Sequence, residues 1–151
     1  MNKFNFSDVI SRFDRVKNEL PKELANEMQR EYNSTFVSQS WNGSGWKTPN
    51  RKIEGTSEWK YPKKKGLGRR TSNTLVRTGA LRRAVSTALK LATFEKIKFE
   101  VSLPYAQIHN EGLPMKNGKN MPKRQFIGMN SGLKNKIDKK IDKVISTIWQ
   151  G

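Results

Sequence analysis

Apolar positions recur at intervals of three and four residues near the start of the chain, as they do on one face of an α-helix. The recurring positions are Val9, Phe13, Val16, Leu20, Leu24, Met28, and Tyr32 or Phe36. Ser7 is the expected N-cap, and Pro21 is expected to end or kink a first helix and to begin a second. The pattern therefore predicts a helical segment over residues 5–40, made of two pieces.

Two later segments alternate between apolar and polar residues, which is the pattern of strands with one buried face. The apolar members are Val85, Thr87, Leu89 and Leu91 in the first segment, and Ile97, Phe99, Val101 and Leu103 in the second. A turn around residues 92–95 joins them, and Pro104 is expected to end the second strand. The pattern predicts an antiparallel hairpin, which needs further packing because a two-stranded hairpin is marginally stable alone.

Shorter helical segments are expected on both sides of this hairpin. Residues 75–85 are expected to form a short helix or a turn with a break at Thr78-Gly79, and a helical turn over residues 105–109 is expected to close at Gly112. A final stripe predicts a helix over residues 131–149 with Ser131 as N-cap. Its members are Leu133, Ile137, Ile141, Val144 or Ile145, and Ile148, and Trp149 beside them is expected to pack in a core or an interface.

No helix or strand period extends through residues 41–74, where turn residues and cations dominate. Trp41 and Trp46 bracket a glycine-containing turn and are expected to pin the start of this loop back onto the domain. Residues 47–83 hold twelve Lys or Arg and two Glu, a net charge of +10. Trp59 and Tyr61 among these cations could stack on nucleic acid bases. The preferred interpretation is a long loop that becomes ordered against a neighbouring subunit.

Composition narrows the class of protein. The 151 residues suit one domain, 1–151, and the 34% hydrophobic content indicates that part of the chain lies outside the core. A formal net charge of +17 favours an acidic partner or nucleic acid. Candidate contacts to DNA or to an acidic partner are Lys63, Lys64, Lys65, Arg69 and Arg70. No membrane-length apolar run and no apolar core of a signal peptide occurs, so a cytosol-like compartment is expected.

Catalysis finds little support in the residue types. The chain has no cysteine and one histidine, His109, so neither a thiolate metal site nor a two-histidine site can be built. Glu111 near His109 could in principle assist a metal-dependent nuclease, but the usual second carboxylate is absent. We therefore predict no enzyme activity, no catalytic or metal-binding residues and no cofactor. His109 is expected to be a packed, hydrogen-bonded residue.

One stretch, residues 75–128, carries a set of short motifs in a fixed order. It contains Leu75-x-x-Thr78-Gly79-x-Leu81, then the two strands, then Tyr105-Ala106-x-x-His109-x-x-Gly112, and finally Pro122-x-Arg124-x-Phe126-x-Gly128. Trp46-Lys47-x-Pro49 follows the earlier glycine-containing turn. This order resembles the tail-completion proteins of tailed bacteriophages, the virion morphogenesis and head–tail joining families. The long basic segment and the high charge depart from that pattern.

The resemblance implies an α+β fold and a structural role. The fold would comprise N-terminal helices, a small antiparallel sheet with a central hairpin, a long basic loop, and a C-terminal helix packed on the sheet. The motif residues would serve as structural and interface residues. These are Thr78, Gly79, Leu81, Tyr105, His109, Gly112, Pro122, Arg124, Phe126 and Gly128.

The resemblance also implies partners and a location. Such proteins form rings, typically hexameric, at the neck or at the top of the tail. Expected partners are further copies of the chain, the phage connector or neck proteins, and the tail-tube or tail-terminator proteins. A ring would lie around a channel that carries DNA, so contact with DNA is a further expectation, whereas contact with a membrane is not. The expected locations are the virion neck or tail and, during assembly, the host cytoplasm.

Overall fold

The computed structural model of the chain describes residues 5–61, 72–76, 78–115 and 117–149. Its contacts divide these residues into two compact units. We call the first the helical unit, residues 5–31, 88–100 and 129–149. The second is the motif unit, residues 32–61, 72–76, 78–87, 101–115 and 117–128. The prediction of a single domain over 1–151 stays a prediction.

Helix α1 runs without interruption over Phe6–Ser38, with Pro21 inside it. The prediction of two helical pieces was therefore wrong. A proline removes one hydrogen bond from a helix interior, but packing on both sides offsets that loss: Leu20 and Ala25 are both buried. The predicted cap was also wrong, because the Asn5 side chain accepts the hydrogen bond from the Ser7 amide at 3.0 Å.

Residues 40–61 contain short regular elements where only a loop was predicted. Strands β1 (Ser40–Trp41) and β2 (Ser44–Gly45) pair antiparallel around Asn42-Gly43. Both turn residues have positive φ, 49° and 78°, as the tightest hairpin turns require. A 3₁₀ turn (Asn50–Lys52) and helix α2 (Ser57–Lys60) follow. The Thr56 hydroxyl caps α2 by accepting from the Trp59 amide.

The central hairpin forms, but both of its strands are shorter than predicted. Helix α3 occupies Ala80–Ser86, so Val85 is a buried helical residue and not a strand residue. Strands β3 (Leu89–Ala92) and β4 (Ile97–Phe99) pair antiparallel with an irregularity between Leu89 and Leu91. This irregularity shifts the side-chain alternation, and Leu91 is exposed, contrary to the expected buried face. The second strand ends at Phe99, before Pro104.

The segment after the hairpin follows the prediction more closely. Helix α4 covers Ala106–Glu111 and ends at Gly112, whose φ of 76° is the left-handed conformation expected of a C-cap. Residues 113–115 and 117–121 then fold back on each other, with a bridge between Pro114 and Asn120 and a hydrogen bond from the Met115 amide to the Lys119 carbonyl at 2.8 Å. These contacts form a second, smaller hairpin tip.

Helix α5 spans Ser131–Trp149 and packs on the β3–β4 hairpin. Its N-cap is Asn130 and not Ser131, since the Asn130 side chain accepts from the Leu133 amide at 2.7 Å. Leu133 and Ile148 of the predicted stripe are buried, whereas Trp149 is 66% exposed. The expectation of core packing for Trp149 was thus wrong; an interface role for it stays a prediction.

Together these elements confirm the predicted α+β class, with helices and two small antiparallel hairpin sheets. None of the helices in the described part of the chain has both the length and the apolar character needed to cross a membrane.

Candidate interaction site

Half of the predicted motif residues meet around one cavity in the motif unit. The cavity has a volume of about 410 Å³, and Thr78, Leu81, Tyr105, His109 and Arg124 line it. These residues come from the turn before α3, from α3, from α4 and from the segment after the 113–121 fold-back. We call this space the motif cavity. Arg51, Thr74 and Leu75 complete its lining.

Arg124 is the most constrained charged residue of the cavity. It is only 5% exposed, and its Nε and Nη2 both donate to the Lys47 carbonyl, at 3.1 and 3.0 Å. Burial and, to a smaller extent, the charge of Arg51 lower the pKa of Arg124 from its ordinary value. The group nonetheless stays protonated, because an arginine pKa lies far above neutral pH. No carboxylate pairs with Arg124 within the described residues.

His109 lies beside Arg124 in the same cavity. The Arg124 amide donates to the His109 carbonyl at 2.8 Å, and the Tyr105 ring meets the imidazole edge to face, with 6.1 Å between ring centroids. Burial, followed by the charge of Arg124, lowers the pKa of His109 and so favours the neutral form of the ring. The ring is packed as expected. Its buried Nδ1, however, finds no hydrogen-bond partner within the described residues.

Asn110, which the sequence patterns did not single out, holds the motif segments together. Its side-chain oxygen accepts hydrogen bonds from the amides of Phe126 and Ile127, at 3.0 and 3.1 Å. An asparagine side chain commonly satisfies backbone donors in this way. In the sequence, the only indication of this role was the position of Asn110 between His109 and Glu111 in the motif.

Three of the motif glycines have a physical reason to be glycine. Gly79 has a φ of 70° and precedes α3, where a Cβ would approach the Arg83 side chain. Gly112 has a φ of 76°, and a Cβ there would lie 3.0–3.1 Å from atoms of Lys123 and Met121. Gly128 has a φ of 142°, and a Cβ would lie 2.5 Å from the Gln125 side chain. These positions are therefore structural, which is consistent with the role expected of them.

An aromatic cluster forms the core beneath these segments. Phe126 lies 5.6 Å from Phe36 between ring centroids, and Phe36 lies 5.7 Å from Trp46. The Trp46 indole donates to the Gln125 carbonyl at 2.8 Å. The expectation that Trp46 pins the loop is thus confirmed. Phe36, near the end of α1, connects the Trp46 and Phe126 rings, and the motif order alone did not reveal this contact.

Backbone strain also occurs at the cavity. Leu75, part of the lining, has a φ of 63°, a conformation that a leucine rarely adopts. The preceding residue is held by Gln39, whose side chain accepts from the Thr74 amide at 2.6 Å and donates to the Thr74 carbonyl at 3.2 Å. Gln39 was not predicted to have a role. Such strain is concentrated at functional positions in proteins.

A larger cavity of about 830 Å³ shares Arg51, His109 and Arg124 with the motif cavity. Its lining also includes Lys47, Lys119 and the motif residue Pro122. It contains one acidic residue, Glu58. The Glu58 carboxylate accepts from the Asn50 side chain at 3.2 Å. Four cations against one carboxylate make this surface positive.

Other predicted residues are not part of this arrangement. Lys63, Lys64, Lys65, Arg69 and Arg70 lie outside the described residues. The exposed Glu111 accepts from the Gln107 side chain at 3.2 Å. Among the residues described, no three or more His, Cys, Asp or Glu side chains form a group that could hold a metal ion.

The motif unit thus consists of irregular segments around a cavity whose lining includes Arg51, His109 and Arg124. A family model described as the phage virion morphogenesis family matches residues 6–146. The chain therefore belongs to the phage virion morphogenesis family, and its role in phage assembly is structural. This confirms the resemblance drawn from the motif order. The prediction that the chain is not an enzyme agrees with that class and otherwise stays a prediction.

The other two comparisons add no relative. Neither the curated proteins nor the solved structures contain a match to this chain.

Proposed function

We propose that this protein is a ring-forming subunit at the head–tail neck or at the top of the tail, where it joins or completes the tail. The observation that carries the proposal is the match of residues 6–146 to the virion morphogenesis family. The motif order supports the finer placement, because Thr78, Tyr105 and Arg124 belong to the head–tail joining pattern and line one cavity. A hexamer is the stoichiometry we expect.

The charge supports contacts with other components. Each copy carries a formal charge of +17, so a ring of identical copies would repel itself unless other groups supplied negative charge. Acidic surfaces of connector or tail proteins, or DNA in the channel, would supply it. We expect the ring to be stable in their presence and weaker alone.

Sedimentation velocity and negative-stain electron microscopy of the purified protein test the ring, and immunogold labelling of virions tests the location. We expect ring-shaped particles and label at the neck or tail. Tyr105→Ala, a change at a 40% exposed motif residue, should reduce assembly. Gln107→Ala, at an exposed position of the same helix, should not. A monomer at all concentrations, together with virions that carry no label, would contradict the proposal.

A nucleic-acid-binding protein is the second candidate, because the net charge of +10 over residues 47–83 remains unexplained by the fold. A binding titration with DNA across salt concentrations distinguishes the two. Several phosphate contacts give a steep loss of affinity with salt. Charge reversal at Lys63, Lys64 and Lys65 should then abolish binding, whereas ring assembly without any DNA affinity would favour the structural role.

A further inference from the structure

The helical unit carries an exposed apolar groove. The groove has a volume of about 500 Å³ and lies between α1, the tip of the β3–β4 hairpin and α5. Several of its lining residues are large, apolar and nevertheless exposed, among them Phe13, Phe94, Met129 and Ile145. A concave apolar surface of this kind is typical of a site that another molecule covers.

The exposed apolar surface continues past one end of the groove. Ile10 and Trp149 are both exposed, and each lies one helical turn from a lining residue of its own helix. The Arg12 guanidinium donates to the Ile148 carbonyl at 3.4 Å, which brings these ends of α1 and α5 together. We call the whole surface the apolar face; its exposed members are Ile10, Phe13, Phe94, Met129, Ile145 and Trp149.

The unit that carries this face is almost neutral, although the chain is strongly basic. The helical unit holds 10 of the 13 Asp and Glu residues and 13 of the 30 Lys and Arg residues, a net charge of +3. The rest of the chain carries the other +14. The two charged residues that line the groove, Glu95 and Lys96, have opposite signs. Two copies can therefore meet at this face with little of the repulsion that a net charge of +17 produces elsewhere.

The same distribution of charge makes the face a poor site for an anionic partner. DNA, an anionic membrane or an acidic protein is bound by cations spread over a surface, whereas the groove lining holds one cation beside one acid. A second copy has exposed aromatic side chains, Phe94 and Trp149, and a groove that such side chains can fill. Tryptophan is also among the residues that contribute most to protein interfaces.

We propose that the apolar face of the helical unit packs against a second copy of the chain, with Phe94 and Trp149 as anchoring side chains. The inference rests on the proposed assembly function and deepens it, because it names the surface at which copies meet. The face can be buried in a dimer as well as in a ring, so the surface and the ring can fail separately.

Sedimentation velocity of the full-length protein over a range of concentrations tests the association. The double variant Phe94→Gln, Trp149→Gln should raise the Kd between copies about tenfold or more, because two apolar anchors are replaced by amides that resist desolvation. Both positions are exposed, so the variant should stay folded. Val37→Gln is the matched control, because Val37 is an exposed apolar residue of α1 that belongs to the motif unit. It should leave the Kd unchanged.

Salt distinguishes an apolar contact between copies from attraction to an anion. Sodium chloride screens the repulsion between basic chains, so the association of the parent protein should tighten between about 0.1 M and about 0.5 M salt. An association held together by an acidic partner or by DNA would weaken over the same range.

Because the chain has no cysteine, single thiols can show which face is covered. The Ile145→Cys variant carries its thiol in the groove lining, and the Lys139→Cys variant carries it at an exposed position of the same helix outside that lining. Maleimide should react several-fold more slowly with the Ile145→Cys variant at concentrations where the chain associates. Its rate of reaction with the Lys139→Cys variant should not change.

Three results would overturn the proposal. The first is a chain that stays monomeric at every concentration and salt. The second is a double variant that associates as tightly as Val37→Gln does, and the third is an equal rate of maleimide reaction in the monomer and the assembly at Ile145→Cys. A dimer that the double variant abolishes would retain the apolar face and reject the ring. A ring that the double variant leaves intact would retain the ring and reject the face.

Discussion

The helical unit and the motif unit are stabilised in different ways. In the helical unit, α1, the β3–β4 hairpin and α5 line an apolar groove of about 500 Å³. Ion pairs connect the two helices at their surface, including Lys136 with Glu31 and Lys140 with Glu23, at 2.9 and 3.0 Å. In the motif unit, irregular segments are fastened by side chains that bind backbone groups, as Asn110, Gln39 and Arg124 do.

This difference has a consequence for how each unit responds to substitution. Periodic helices share their stabilisation over many similar residues, so one loss is diluted. Irregular segments depend on single side chains, because each buried backbone group there needs a particular partner. The motif unit should therefore be the more sensitive of the two.

The largest expected effect is the removal of a core aromatic. Phe36→Ala should lower the free energy of unfolding by about 4 kcal/mol, because a 1% exposed ring that contacts Trp46 and Phe126 is lost. The matched change in the helical unit is Phe13→Ala. Phe13 also pairs edge to face with a phenylalanine, Phe94, but it is 45% exposed, so about 1 kcal/mol is expected. Urea unfolding followed by tryptophan fluorescence measures both, and equal costs would remove the contrast between the units.

A smaller effect is expected from a methyl group at a motif glycine. Gly112→Ala should cost about 3 kcal/mol, since a positive φ is combined with contacts to the backbone of Lys123 and Met121. Gly118→Ala is the control, because Gly118 has nearly the same φ, 75°, with nothing within 4 Å of a Cβ. It should cost about 1 kcal/mol. Thermal unfolding of the two variants gives the difference, which would vanish if the close approach were unimportant.

A substitution at the N-cap of α5 tests how much one local hydrogen bond stabilises the helical unit. Asn130→Ala should cost about 1 kcal/mol through loss of the bond to the Leu133 amide. Asn130→Ser, which keeps a capping oxygen, should recover most of it. Circular dichroism during denaturation reports both variants. If the serine variant were as unstable as the alanine variant, the role of Asn130 would not be that of a cap.

The smallest effect belongs to the surface ion pairs. Glu31, by its hydrogen bond and then its charge, raises the pKa of Lys136. The resulting stabilisation is therefore complete below the ordinary lysine pKa and is lost as pH rises through the raised value. Because Lys136 is largely exposed, Lys136→Gln should cost at most about 0.5 kcal/mol at neutral pH. High salt should reduce the difference in unfolding free energy between the variant and the parent protein, as measured by urea unfolding. A large loss of stability that does not depend on salt would contradict a surface role.

Short-range chemistry in the sequence was a good guide to certain elements. The Gly79 break, the α4 turn closed by Gly112, the Asn42-Gly43 turn and the α5 stripe each depend on residues within a few positions of one another. Their conformational preferences act locally, so the sequence alone reveals them. The family resemblance followed from the order of the short motifs, and that resemblance implied the α+β class.

The errors arose where distant residues decide the outcome. Pro21 predicted a break, yet packing along α1 keeps the helix continuous. The alternating pattern extended the hairpin to Val85, which α3 instead buries as a helical residue. In both places a local preference of a few kcal/mol competes with burial, and burial depends on neighbours that the local pattern does not contain.

The sequence by itself determined the class of protein, the order of the motif residues and the excess of positive charge. Only the tertiary structure brought Thr78, Tyr105, His109 and Arg124 to one cavity. It also showed that Asn110 and Gln39 hold the segments in place. The physical reason is that a side chain's environment is set by contacts between residues far apart in the chain, whereas a sequence pattern records only the near ones.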